Sequence, residues 1–264
     1  WQNKINNFRM IKLIKILILV NLVNFSSIAR EKGQIEITAN QGVEVFQVEK
    51  YYYLKEKVNI LSDNFELNAD EVKAFFDKDL YDIYEIQASG NSTLYSQEGI
   101  YAFGEKIFFN LKNETIIVNG KNSKLYFNDL NMFSDNLIDV DNLLQTFNLQ
   151  GELSILQNNE IKIIASSIKG KFINNNKINE IEELFIKDQK KLNIITKTSS
   201  MFALKANYNK QNNTIELHEN VLIIRDQETI EGEYALINIA NESYKIKSKE
   251  NKKVKIILNT SSNE

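Results

Sequence analysis

The chain of 264 residues contains no cysteine and no proline, and only one histidine and one tryptophan. Without cysteine there can be no disulfide and no thiolate metal site. Proline, Gly/Ser-rich tracts and long runs of one charge sign are all absent, so no segment has the composition of a linker. We therefore expect one domain after the N-terminal region. Its 43% apolar residues are enough for a large core.

Charge and motif content argue against nucleic-acid binding and catalysis. The 35 acidic and 32 basic residues are well mixed, so no concentrated basic face is expected. The chain has no phosphate loop, nucleophile elbow or zinc motif. His218 stands between Glu216 and Glu219 on an alternating segment with no converging partner, and Asp77 and Asp79 lack the spacing of a calcium loop. We predict no catalytic residue, no metal, no cofactor and no enzyme activity.

The N-terminal region has the order of a secretory signal. Lys12 and Lys15 form a basic start, Ile16 to Val23 an apolar stretch, and Ser27-Ile28-Ala29 a cleavage site. We predict that residues 1–29 are an upstream extension plus a signal peptide, removed after Ala29, with export to the periplasm. An uncleaved membrane anchor and a buried core helix are the alternatives.

The stretch from Ile86 to Phe127 shows how the rest of the chain is built. Short alternating runs rich in β-branched and aromatic residues are separated by polar breaks, which is typical of half-buried antiparallel strands. Gly90, Gly120 and Gly151 follow one another at intervals of 30 and 31 residues. This spacing predicts a repeating unit of about three strands, and few segments elsewhere have a helical pattern. The residues alone leave a β-jellyroll and a right-handed β-helix open.

Four segments resemble the OstA-like family of periplasmic lipopolysaccharide-export proteins, the LptA family, in its larger alphaproteobacterial form. They are Ile37 to Glu44, Phe65 to Phe76, Ile83 to Asn91 and Ile230 to Asn238. The resemblance implies an all-β fold: an elongated, twisted, semi-open antiparallel β-jellyroll with an apolar inner groove, over residues 30–250. Residues 251–264 are expected to be a polar tail.

The resemblance also implies a groove that carries acyl chains and edges that assemble. The expected groove residues come from the alternating runs: Phe65, Leu67, Phe75, Leu94, Ile100, Phe103, Ile107, Phe109, Leu125 and Phe127. The expected assembly edges contain Ile35, Ile37, Tyr234 and Leu236. The groove residues could equally fill an ordinary sandwich core, because a core and a groove require the same side chains.

The expected function is a non-catalytic lipid carrier that bridges the periplasm in lipopolysaccharide transport. Its expected partners are lipopolysaccharide, an inner-membrane export complex, an outer-membrane translocon and further copies of itself. One alternative is a secreted structural or adhesive β-repeat protein, which needs neither a groove nor partners at its ends. Another is a membrane-tethered, LptC-like component of the same pathway.

Overall fold

The computed structural model describes residues 32–78, 82–97, 99–175, 178–250 and 253–258. The predicted signal segment lies outside these residues. Within them the chain forms strands and no helix, so none of the described residues belongs to a helix long and apolar enough to cross a membrane. The prediction of an all-β fold is confirmed.

Eighteen strands of the described residues join in one sheet, and all of their pairings are antiparallel. They are β1 (Glu36–Thr38), β2 (Gly42–Phe46), β3 (Tyr51–Leu61), β4 (Phe65–Phe76), β5 (Ile83–Ser96), β6 (Ile100–Asn110), β7 (Thr115–Asn119), β8 (Ser123–Phe127), β9 (Leu130–Ser134), β10 (Leu137–Asp141), β11 (Thr146–Gln157), β12 (Lys162–Asn175), β13 (Ile178–Ile195), β14 (Ser199–Asn209), β15 (Thr214–Arg225), β16 (Glu228–Asn238), β17 (Ser243–Lys247) and β18 (Lys255–Leu258).

The sheet is a meander that is interrupted along its middle. Every ladder between two long strands shifts register halfway, for example between Ser89 and Ser92 in β5 and between His218 and Val221 in β15. Elsewhere the strand is broken outright, so β6 pairs with both β7 and β8, and β11 with both β9 and β10. Because bulges bend a strand and disrupt its ladder, a continuous line of them creases the sheet. We call this line the crease.

The crease divides the sheet into two halves. Half-sheet A comprises residues 36–38, 58–61, 65–69, 92–96, 100–104, 123–127, 130–134, 154–157, 162–165, 192–195, 199–202, 221–225, 228–232 and 255–258. Half-sheet B comprises residues 42–46, 51–55, 71–76, 83–89, 106–110, 115–119, 137–141, 146–150, 167–175, 178–187, 205–209, 214–218, 234–238 and 243–247.

The inner faces of the two half-sheets share one hydrophobic core. Buried residues from both halves belong to a single cluster. Phe65 of half-sheet A meets Phe109 of half-sheet B edge-on with ring centroids 5.9 Å apart, and Phe127 meets Phe172 in the same way at 5.5 Å. One antiparallel sheet thus folds back on itself, which is the predicted β-jellyroll. A flat sheet could not bring these pairs together.

Glycines at the crease explain the repeat in the sequence. Gly90 and Gly120 have φ of +78° and +111°, in the region that side chains with a Cβ atom rarely adopt. A Cβ atom on Gly120 would lie 2.5 Å from Cβ of Glu105. The interval from Gly90 to Gly120 runs from the crease in β5, through all of β6, to the crease after β7. The period therefore spans the second half of β5, all of β6 and all of β7, which are the three strands of the expected unit.

Polar side chains satisfy the backbone where the crease interrupts the ladders. The Ser123 hydroxyl donates to the carbonyl of Gly120 at 2.7 Å, and the fully buried Ser134 hydroxyl donates to Gln150 at 2.7 Å. Asp188 accepts backbone N–H bonds from Ser166, Lys190 and Lys191 at 2.7–2.8 Å. Burial alone would raise the pKa of Asp188, but these hydrogen bonds outweigh burial and lower it.

The last strand changes the expected domain boundary. Lys255–Leu258 form β18 and pair with Glu228–Glu231 of β16. Part of the segment expected to be a polar tail thus belongs to the sheet. The apolar run Ile256-Ile257-Leu258 that forms this strand is short and follows a lysine-rich stretch, which hides it in the composition of the tail.

Candidate functional site

Eight of the ten residues expected to line a groove face the interior between the half-sheets. Six of these are buried, at 0–6% exposure: Phe65, Leu67, Leu94, Ile107, Leu125 and Phe127. Ile100 and Phe109 are half-buried and pack against the same core. These side chains fill the part of the interior closed by the Phe65–Phe109 and Phe127–Phe172 contacts. Their role in lipid binding stays a prediction.

The other two expected groove residues lie on the outer face, and their expected orientation is wrong. Phe75 contacts Tyr51 on the outer face of half-sheet B, with ring centroids 5.5 Å apart. Phe103 stands between the inward-facing Ala102 and Gly104 and so points outward. Strand alternation alone requires this placement once the neighbours are known to be buried.

A cavity of about 750 Å³ lies between the half-sheets in the second part of the sheet. This volume is within the range of small-molecule sites. Its apolar wall comes from both half-sheets and consists of Ile161, Ile181, Leu184, Met201, Tyr208, Ile215, Ile223, Ile230 and Ile237. These side chains carry no charge, so this part of the lining suits the apolar part of a ligand.

The mouth of the cavity carries the charges. Lys197, Lys210, Glu160 and Glu180 lie on its rim, where the turns that face away from the crease meet solvent. Lys210 donates a hydrogen bond to the Glu180 carboxylate, and this bond raises the pKa of Lys210. Tyr208, deeper in the wall, has a raised pKa because it is half-buried. The site is therefore amphipathic, with an apolar interior and a polar rim.

Contacts across the mouth bound the cavity on both sides. On one side, the buried Asn179 of half-sheet B donates its side-chain amide to the Phe127 carbonyl at 2.9 Å, and its backbone N–H to Asp129 at 2.8 Å. On the other side, Arg225 pairs with Glu242, and the Tyr244 hydroxyl donates to Glu228 at 2.6 Å.

The contacts of Arg225 with Glu242 and of Tyr244 with Glu228 also shift the pKa values of Arg225 and Tyr244. The hydrogen bond to the Glu228 carboxylate raises the pKa of Tyr244, because ionised tyrosine would be repelled by the carboxylate. The Glu242 carboxylate likewise raises the pKa of Arg225. Both interactions therefore join the two half-sheets at neutral pH.

The ends of the sheet differ in part from the expected edges. Ile37 lies in β1 and Ile35 directly before it, and β1 and β2 each pair on one side only, with β3. Tyr234 and Leu236 are not at an edge, because β17 covers their strand. The other end of the sheet is formed by β17 and β18, and among the described strands each pairs only with β16.

Metal-ligating side chains are not clustered in the described part of the chain. No group of three or more His, Asp and Glu residues there is placed to hold a metal ion. His218 contacts the ring of Tyr234 at 5.0 Å and Glu216 at 3.4 Å on the surface.

None of the ten residues expected to line a groove lies in the wall of this cavity. The cavity begins at Asp129 and continues to Tyr244, and much of it lies in the region where the family resemblance is thinnest. The apolar residues of its wall alternate like those of the closed core, so pattern alone could not separate the two. The polar residues that make contacts across its mouth are 16 to 52 positions apart in the sequence.

The fold and the cavity define a class of protein: a single antiparallel sheet, creased and folded on itself, with an apolar cavity between its halves. No family model matches the sequence, and no curated protein matches it. Among solved structures, the chain is similar to LptH of Pseudomonas aeruginosa, described as the LptA-homologous periplasmic component of the lipopolysaccharide transport device. The match has a TM-score of 0.42 and 12% identity, and covers 50% of this chain and 95% of LptH.

Proposed function

We propose that the protein is a non-catalytic carrier that holds acyl chains between its half-sheets and takes part in lipopolysaccharide transport through the periplasm. The observation that carries the proposal is the amphipathic cavity of about 750 Å³, whose wall is apolar and whose mouth is charged. An acyl chain fits the wall, and the polar head of the same lipid fits the rim.

The energetics favour capture and release by burial alone. Each methylene removed from water contributes about 0.8 kcal/mol, so about ten methylenes contribute on the order of 8 kcal/mol before ordering costs. That corresponds to micromolar binding at best. Because the wall offers no charged anchor, the bound chain can leave again, as a carrier requires.

The four sequence segments that resemble the LptA family support the transport pathway in this proposal. They fall in β1 and β2, β4, β5 and β16, on both sides of the crease. Under the proposal, the chain receives lipid from an inner-membrane export complex and passes it towards an outer-membrane translocon. The N-terminal signal segment would direct it to the periplasm.

Head-to-tail association through the sheet ends is the second part of the proposal. Inward-facing apolar side chains are left exposed at both ends: Val43 at 46% and Val45 at 44% on β2, and Ile256 at 51% on β18. Strand edges with unpaired backbone groups recruit further strands. A second copy added at an end would cover both the edge and these side chains.

Photocrosslinking tests the lipid part of the proposal. A photoreactive amino acid at Ile237, which lines the cavity, should crosslink to lipopolysaccharide in cells that make it. The matched control is Leu236, the preceding residue on the same strand, which faces the other way. Equal crosslinking at the two positions, or none at Ile237, would contradict the proposal and favour a structural role.

A further inference from the structure

The two closures of the cavity mouth differ in burial. Asn179 is 1% exposed and joins half-sheet B to Phe127 and Asp129 of the facing turn through two hydrogen bonds. Arg225 and Glu242 have side-chain exposures of 30% and 69%, and Tyr244 is 38% exposed. All of these residues except Phe127 line the cavity.

This difference decides which closure opens first. Breaking the Asn179 contacts would leave buried polar groups without partners, which is costly. Exposed ion pairs contribute little to stability, because water and salt compete with them. The side near Glu242 is therefore the one that opens at small cost, while the side near Asn179 stays shut.

We propose that Arg225, Glu228, Glu242 and Tyr244 form a latch whose opening admits one acyl chain of an amphiphile sideways into the cavity. The Asn179 contact is a fixed partition that separates the cavity from the closed core around Phe127 and Phe172. The acyl-chain assignment rests on the proposed function, whereas the latch rests on the contacts across the mouth. The polar head of the ligand stays outside, among the charges of the rim.

The latch can be tested without any ligand, because the chain has no cysteine of its own. A cysteine introduced as Met201→Cys reports access to the cavity wall, where Met201 is 3% exposed. Adding Glu242→Gln and Tyr244→Phe removes the charge of the ion pair and the hydrogen bond of the tyrosine hydroxyl, with little change in shape. We expect the thiol labelling rate to rise about three- to tenfold, the factor that corresponds to contacts of this exposure.

A second cysteine separates latch opening from general unfolding. Leu94→Cys places the thiol in the closed core, at a position that is 0% exposed and far along the sheet. Its labelling rate should be unchanged by the latch substitutions. Equal labelling of Met201→Cys with and without the latch, or a parallel rise at Leu94→Cys, would overturn the latch.

Binding kinetics then test the ligand class with the full chain. A fluorophore-labelled saturated fatty acid should associate faster in the Glu242→Gln, Tyr244→Phe variant by about the same factor, because the latch limits entry into the cavity. Its dissociation should also be faster, since a bound chain leaves through the same opening. If the original protein binds no probe while the labelling difference persists, the acyl-chain assignment and the proposed function fail and the latch stands. Normal binding with equal rates overturns the latch alone.

Discussion

Replacing Phe172 by alanine tests whether the half-sheets are packed on each other around the Phe127–Phe172 contact. Phe172 is fully buried and lies on half-sheet B. Its ring centroid is 5.5 Å from that of Phe127 on half-sheet A and 6.4 Å from that of Phe147. Truncating a buried phenylalanine costs about 3–5 kcal/mol, because burial is lost and a cavity remains. The edge-on contact with Phe127 accounts for about 0.5–1.5 kcal/mol of this.

The measurement is urea-induced unfolding followed by far-UV circular dichroism. Phe185→Ala is the matched control, since Phe185 lies on the neighbouring strand β13 but is 51% exposed on the outer face. We expect the control to change the free energy of unfolding by less than about 1 kcal/mol. If Phe172→Ala costs no more than Phe185→Ala, the half-sheets are not packed on each other there and the description of a closed core is wrong.

Three further predictions concern the crease and the ends of the sheet. Gly90→Ala should destabilise the protein by about 1–3 kcal/mol in urea unfolding, and by more than Gly42→Ala. Both glycines have positive φ, but of the two only Gly90 has a close neighbour: a Cβ atom there would lie 2.2 Å from a carboxylate oxygen of Asp70. Equal losses of stability in the two variants would contradict this reasoning. Asp188→Asn should lower the free energy of unfolding at pH 7 by about 1 kcal/mol, a value that allows for screening of the carboxylate by solvent. The pKa of Asp188 is lower in the folded state than in the unfolded state. The stabilisation by its carboxylate is therefore complete at pH values above the unfolded-state pKa near 3.8, and it is lost as the pH falls through the folded-state pKa. Acid titration of both proteins checks this, and a difference that persists at the lowest pH would refute it. Deleting residues 243–258, which removes β17 and β18, should shorten any concentration-dependent ladder of oligomers in sedimentation, and an unchanged ladder would argue against assembly through that end.

Local pattern was enough to determine the class of fold. Alternating β-branched and aromatic runs between polar breaks specify strands, because side chains on a strand point to opposite faces in turn. The segments Phe65 to Phe76 and Ile230 to Asn238 become β4 and β16 with bounds close to those read from the pattern. Gly90 and Gly120 mark the crease because only glycine adopts their backbone conformation without strain.

Which face each residue occupies was decided by the tertiary structure. In β6, Ala102 and Gly104 face inward and Phe103 outward, yet Ile107 and Phe109 also face inward. The bulge at the crease inserts one residue and so reverses the parity of everything after it. No count along the sequence shows where such a residue stands.

The distinction between core and cavity also needed three dimensions. Leu94 in the closed core and Ile215 in the cavity wall have the same kind of neighbours in sequence. What separates them is the distance between the half-sheets, which is set by contacts such as Asn179 with Asp129 and Arg225 with Glu242. Those contacts join residues that are 50 and 17 positions apart in the sequence. The sequence by itself determined that strands would form and bury one face, because that depends on neighbours along the chain. Only the folded sheet decided where the buried faces meet and where they leave room for a ligand.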